Sequence, residues 1–167
     1  MTRLLGIGLV GILPVLIGEW RRRQYLDIGK WLLGRIDFLE HLTFRIRVFG
    51  DAQGEILRAF SGKERRLQAF LDTYARELER DPCGALHRAI AADLEECGAS
   101  DAVSEAYLAF GERFGMQSRE SQVKDCERIL ALFRHTEEEG RKKRESGAAT
   151  ARVTGLVAGA GIFILLI

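Results

Sequence analysis

Net charge is what this sequence has least of: 25 Lys and Arg stand against 24 Asp and Glu in 167 residues, a formal +1. That balance removes the basic footprint that nucleic-acid binding requires, so no nucleic-acid partner is expected. Cysteine is scarce as well. Cys83, Cys97 and Cys126 lie 14 and 29 positions apart, with no C-x-x-C, which supports neither a disulfide framework nor a zinc site. His41, His87 and His135 fall on separate segments and form no H-x-x-x-H or H-E-x-x-H pattern. Asp93, Glu95 and Glu96 stand near Cys97 and read as a solvated helix end, not as a metal cluster. The chain has no G-x-x-x-x-G-K-[ST] loop, no G-x-G-x-x-G after a strand and no G-x-S-x-G elbow. No catalytic residue, cofactor or metal is therefore expected, and any energy-using step would come from a partner. Convincing runs of alternating β-branched residues and hairpin dipeptides are missing too, which leaves an all-α reading.

What the chain does have is two apolar ends. Leu4–Gly18 and Val153–Ile167 are each 15 residues without a charge. Fifteen helical residues reach only about 22 Å of a hydrocarbon core about 30 Å thick. With their flanks, 1–19 and 147–167 approach the required length and are expected to be transmembrane helices. A cleaved leader or a buried core helix is the alternative for the first. The positive cluster follows that run, however, and no A-x-A-like cleavage site appears. Pro14 lies inside the first run, where a membrane helix tolerates it. In the second, Ala151, Gly155 and Gly159 recur every four residues, a small-xxx-small stripe that permits close helix packing and self-association, or simply the glycine content usual in such helices.

Arg21, Arg22 and Arg23 follow the first run, and Arg141, Lys142, Lys143 and Arg144 precede the second. Basic residues favour the cytoplasmic side, so a two-pass hairpin is expected, with residues 20–146 in the cytoplasm. The same clusters suit anionic lipid or an acidic partner surface. Residues 19–146 carry 23 of the 25 Lys and Arg and all 24 acids, so the body of the chain is balanced, at −1.

Within that body the apolar residues step by three and four. Tyr25, Ile28, Leu32, Leu39, Leu42, Ile46 and Phe49 trace one face, broken at Arg35, before Gly50-Asp51. Short helical patterns follow over Glu55–Phe60, Lys63–Arg80 and 83–96, the last ended by Gly98. Val103, Tyr107, Phe110 and Phe114 mark another helix, capped by Ser100 or Asp101 and closed by Gly115. Ser118 is then the N-cap of a long last helix, in which Glu137–Glu139 precede Arg141–Lys143 at the favourable i,i+4 spacing. The expectation is an antiparallel helical bundle whose first and last helices continue into the two terminal spans.

Residues 108–124 carry a specific pattern. Leu108-Ala-Phe-Gly-Glu-Arg-Phe-Gly115, followed by Ser118-Arg-Glu-Ser-Gln-Val-Lys124, resembles the "L-x-x-L-G-x-x-L-G, then D-R-x-x-Q-x-K" wording of the stage III sporulation protein AB family. Phe110, Phe114 and Ser118 depart from it, whereas the chain length, the arginines after the first run and the Gly-rich tail agree with it. The resemblance implies a component of a secretion-like channel complex in the mother-cell membrane around the forespore. It further implies a fold similar to the cytoplasmic domains of the type II secretion inner-membrane platform protein. By that likeness the bundle would anchor the operon's cytoplasmic ATPase, stage III sporulation protein AA, beside other membrane components of the complex. Ser118, Arg119, Glu120, Gln122 and Lys124 are then the candidate partner surface, or a cap that ties two helices together. A different class is also open: a dimeric helical membrane protein for signalling or assembly, without an ATPase partner.

Overall fold

The computed structural model describes residues 27–166, and the side chains of 27–143 other than Glu96. Six helices and no strand occur among the described residues: α1 over 27–48, α2 Gln53–Ala59, α3 Arg65–Arg80, α4 Ala85–Cys97, α5 Asp101–Arg113 and α6 Arg119–Leu166. The chain divides into two compact units, Leu26–Glu137 and Met1–Tyr25 with Glu138–Ile167. The first is the expected helical bundle. Of the second, the described part is helical backbone over 138–166.

α1 is the central element of the bundle. Trp31, Leu32, Arg35, Phe38, Leu39 and Leu42 are almost fully buried, and the exposed positions Leu33, Asp37, Glu40, Phe44 and Arg47 fall on one narrow stripe. A helix apolar over so wide an arc must be covered on most sides. Phe38 meets the rings of Phe60, Phe70 and Tyr74, while Trp31 meets Tyr107 and Phe133. Phe60, just after α2, and residues of α3, α5 and α6 thus pack against it, with successive helices from α2 to α5 packed on each other. α1 and α6 run antiparallel, since Arg47 pairs with Glu127 and Glu40 with Arg134.

The helix ends follow local chemistry. Glu64 accepts from Leu67 N–H at 3.2 Å, so α3 starts at Arg65 and not at Lys63. Ser118 accepts from Ser121 N–H at 3.4 Å, as an N-cap should. Gly50, Gly98 and Gly115 hold φ of +70°, +64° and +89°, conformations that only glycine adopts without strain.

Two inward assignments of the first helix need correction. Phe49 lies beyond the last helical residue and is 59% exposed, because the turn at Gly50 carries it off the buried face. Arg35 does not interrupt the core but belongs to it, at 0% exposure.

Among the described residues no helix is long and apolar enough to cross a membrane. The expected span 1–19 lies outside them. So do the side chains of the expected span 147–167, whose backbone is helical within α6 as far as Leu166.

Candidate functional site

Two groups of polar side chains stand out in the bundle. The first is buried. Trp31 and Arg35 are one turn apart on α1 and converge on Asp93 of α4. Asp93 Oδ2 accepts from Trp31 Nε1 at 2.8 Å and from Arg35 Nε at 2.9 Å, and Oδ1 accepts from Arg35 Nη2 at 2.5 Å. The fork is bidentate, the geometry in which guanidinium and carboxylate bind best. The Arg35 guanidinium carbon also lies 4.5 Å from the Phe70 ring centre and 5.6 Å from that of Trp31, so aromatic faces replace part of its lost hydration. Three donors occupy the carboxylate, which leaves Asp93 as a clamp between α1 and α4 and not as a free acid or base. Asp93, expected from the sequence at a solvated helix end, has a side chain only 10% exposed. The available signal was a charge at an inward-facing position on each of two helices, a pattern that buried charges satisfy only by pairing.

Beside the clamp lies a small cavity of about 160 Å³, walled by Trp31, Phe70, Asp93 and Cys97 with Arg66 and Thr73 and three alanines. Burial pushes the Cys97 thiol up, and it accepts from Ala99 N–H at 3.3 Å. Among the described residues no group of three or more His, Cys, Asp and Glu could hold a metal ion. His87 spends Nδ1 on the Leu108 carbonyl at 3.1 Å, and His135 is exposed on α6.

The second group is the motif around the α5–α6 turn. Arg119 donates from Nε to the Ile46 carbonyl at 2.7 Å and from Nη2 to that of Arg47 at 2.5 Å, and its guanidinium packs on Gly50. It thereby closes the C-terminal end of α1, where carbonyls lack helical partners. Gln122 Nε2 donates to the Gln117 carbonyl at 2.9 Å, and Gln117 and Arg113 both donate to Asp125. Ser118, Arg119 and Gln122 therefore hydrogen-bond within the bundle, although Ser118 and Arg119 are exposed, as are Glu120 and Lys124.

The two motif glycines have separate reasons. Gly111 is buried where α5 crosses α4: a Cβ there would come within 2.9 Å of His87 Cα and 2.8 Å of Ile90 Cδ1. Gly115 holds the positive φ of the turn, and a Cβ would meet Gln53 Nε2 at 2.7 Å. Gln53 in turn accepts from the buried Tyr74 hydroxyl at 2.7 Å.

The remaining candidates lie away from both groups. Arg141, Lys142 and Lys143 are exposed on α6, with Lys142 paired to Glu138 at 3.0 Å. Arg21, Arg22 and Arg23 and the Arg144 side chain lie outside the described residues. Ala151, Gly155 and Gly159 fall in the helical backbone of α6, beyond the described side chains.

The sequence model described as stage III sporulation protein AB matches residues 3–167. No curated protein and no solved structure matches the chain.

Proposed function

The chain belongs to the stage III sporulation protein AB family, and from that premise we propose that it is a non-enzymatic membrane component of the sporulation channel complex. In this reading residues 1–19 and 147–167 are its two spans in the mother-cell membrane around the forespore. Residues 20–146 form a cytoplasmic bundle that anchors the operon's ATPase beneath the channel. One observation carries the reading: the family match over residues 3–167 takes in both apolar ends and the helical body between them. The way the polar side chains are spent supports it. Asp93 is saturated by Trp31 and Arg35, and Arg119 by two main-chain carbonyls, which is how a scaffold uses such groups. The type II secretion platform protein enters only through what the family resemblance implies, and an analogy of fold would not by itself carry function.

The test is calorimetric titration of the full chain, held in lipid nanodiscs, with the ATPase at two salt concentrations. Saturable binding with one stoichiometry is the expected result. A binding constant that weakens at the higher salt would assign part of the contact to the basic flanks. Absence of binding by a folded, correctly inserted chain would remove the anchoring role and leave assembly through the membrane segments.

A further inference from the structure

The one exposed stripe of α1 lies beside an exposed stripe of α6, and together they make a face with an unusual charge pattern. Glu40, Phe44 and Arg47 follow one another on α1, and Glu127, Ala131 and Arg134 on α6. Arg47 pairs with Glu127 at one end of the face, and Arg134 with Glu40 seven residues away at the other. All four charged side chains are about half exposed or more. Seven helical residues span about 10 Å, so two contact ion pairs of opposite polarity lie about 10 Å apart and the four charges mark the corners of a narrow rectangle. Its positive corners, Arg47 and Arg134, are diagonal to each other. Phe44, 54% exposed, and the exposed Ala131 occupy the middle.

Alternating corners have a geometric consequence. Placed face to face with itself about a twofold axis lying in the face and parallel to the helices, the rectangle sets Arg47 over Glu127 of the second copy and Glu40 over Arg134. About a twofold axis perpendicular to the helices, Arg47 meets Glu40 and Glu127 meets Arg134. Every corner meets its opposite charge in both cases, and the apolar middle closes on itself. A twofold contact requires such self-complementarity, and a face of one sign lacks it. We propose that the α1–α6 face, with Phe44 at its centre and the Glu40, Arg47, Glu127 and Arg134 quartet around it, is the contact through which two copies of this chain pair. Burial of Phe44 supplies the attraction, and the quartet fixes the register and rejects surfaces without the alternating pattern. The proposal is independent of the ATPase reading.

Inverting the whole quartet (Glu40→Arg, Arg47→Glu, Glu127→Arg, Arg134→Glu) keeps both pairs within the chain and keeps the face self-complementary. Against the wild type, however, every corner then meets its like. Two differently tagged full-length copies are co-expressed, solubilised in mild detergent and recovered through one tag, with thermal unfolding as a check that each variant folds. The wild type should recover wild type and the inverted variant should recover itself, while mixed pairs fall about tenfold or more. Phe44→Glu should leave a folded monomer, and this variant decides the matter should the inverted quartet fail to fold. Mixed pairs recovered as well as like pairs would overturn the proposal, pointing to association elsewhere, such as the Gly155 and Gly159 stripe. A monomeric wild type, or a Phe44→Glu variant that still pairs, would overturn it too.

Discussion

Arg35 and Asp93 enter the interior together, and each depends on the other for its charge. Removing one partner of a buried pair leaves an uncompensated ion, which costs about 3–5 kcal/mol, a large share of the 5–15 kcal/mol that holds a typical domain. Asp93→Ala is therefore expected to lower the unfolding midpoint sharply, as read by helical circular dichroism in denaturant. The double variant Arg35→Met/Asp93→Leu should regain most of that loss, because apolar side chains need no counter-charge. Equal midpoints for the single and double variants would refute the account of a closed charge pair. A second residue ties stability to pH. His41 packs on the Phe60 ring with Nε2 buried and without a hydrogen-bond partner. Burial lowers its pKa below the ordinary 6.5, the Ile56 carbonyl opposes the shift, and Arg45 adds to it. The unfolded chain then takes up its proton at a higher pH than the folded one. This contribution is complete above about pH 6.5 and is lost as the pH falls through the lowered folded value. The unfolding temperature should drop between pH 7.5 and 5.5, and His41→Gln should make the drop shallower.

At the scale of elements, the bundle relies on two close contacts between helices. Gly111 lets α5 approach the backbone of α4 at His87, and main chain cannot yield to an added methyl as a flexible side chain can. Gly111→Ala should destabilise by about 1–3 kcal/mol, with faster amide exchange confined first to α4 and α5. Arg119 joins the start of α6 to the end of α1 through two carbonyls held by one planar fork. Arg119→Ala should cost about 1.5–3 kcal/mol, and Arg119→Lys should recover little, since an ammonium offers no matched pair of donors. Much of this layer was legible in the sequence, because helix ends are written in local chemistry. Gly50, Gly98, Gly115 and Ser118 stop or start helices where the chain alone indicates, and Leu67, Phe70 and Tyr74 point inward as their spacing requires. What periodicity could not deliver was pairing at a distance. Arg35 and Asp93 are 58 positions apart, and each alone looks like a flaw in an apolar face. The motif around Arg119 was legible as a motif but not as a clamp on α1, because its acceptors are main-chain carbonyls 72 and 73 residues away.

For the whole molecule the decisive question is which side of a membrane the bundle occupies, and the cysteines offer a direct reading. Cys83 is exposed in the turn before α4, whereas Cys97 and Cys126 are buried. Burial pushes the Cys126 thiol up to about 12, despite a hydrogen bond with Thr43 that works the other way. The thiolate is the reacting species, so Cys126 holds almost none of it at pH 7.5 and is sterically covered besides. A maleimide should therefore modify one thiol in the native chain and three after denaturation. That selectivity turns Cys83 into a reporter without any engineered residue. In intact cells making the full chain, a membrane-impermeant maleimide should leave Cys83 unmodified, and permeabilising the cells should expose it. The expectation follows from the charge asymmetry: Arg21–Arg23 and Arg141–Arg144 border the two apolar runs on their inner sides, and basic flanks are retained in the cytoplasm. Labelling of Cys83 before permeabilisation would put the bundle outside, where a cytoplasmic ATPase could not reach it, and the anchoring role would fail with the topology. Recovery of the chain in the soluble fraction of lysed cells would instead show that the short apolar ends do not hold the protein in a bilayer. With Cys83 protected in chain recovered from the membrane fraction, membrane insertion and cytoplasmic orientation would both stand, and the nanodisc titration would then measure binding at the face the ATPase can reach.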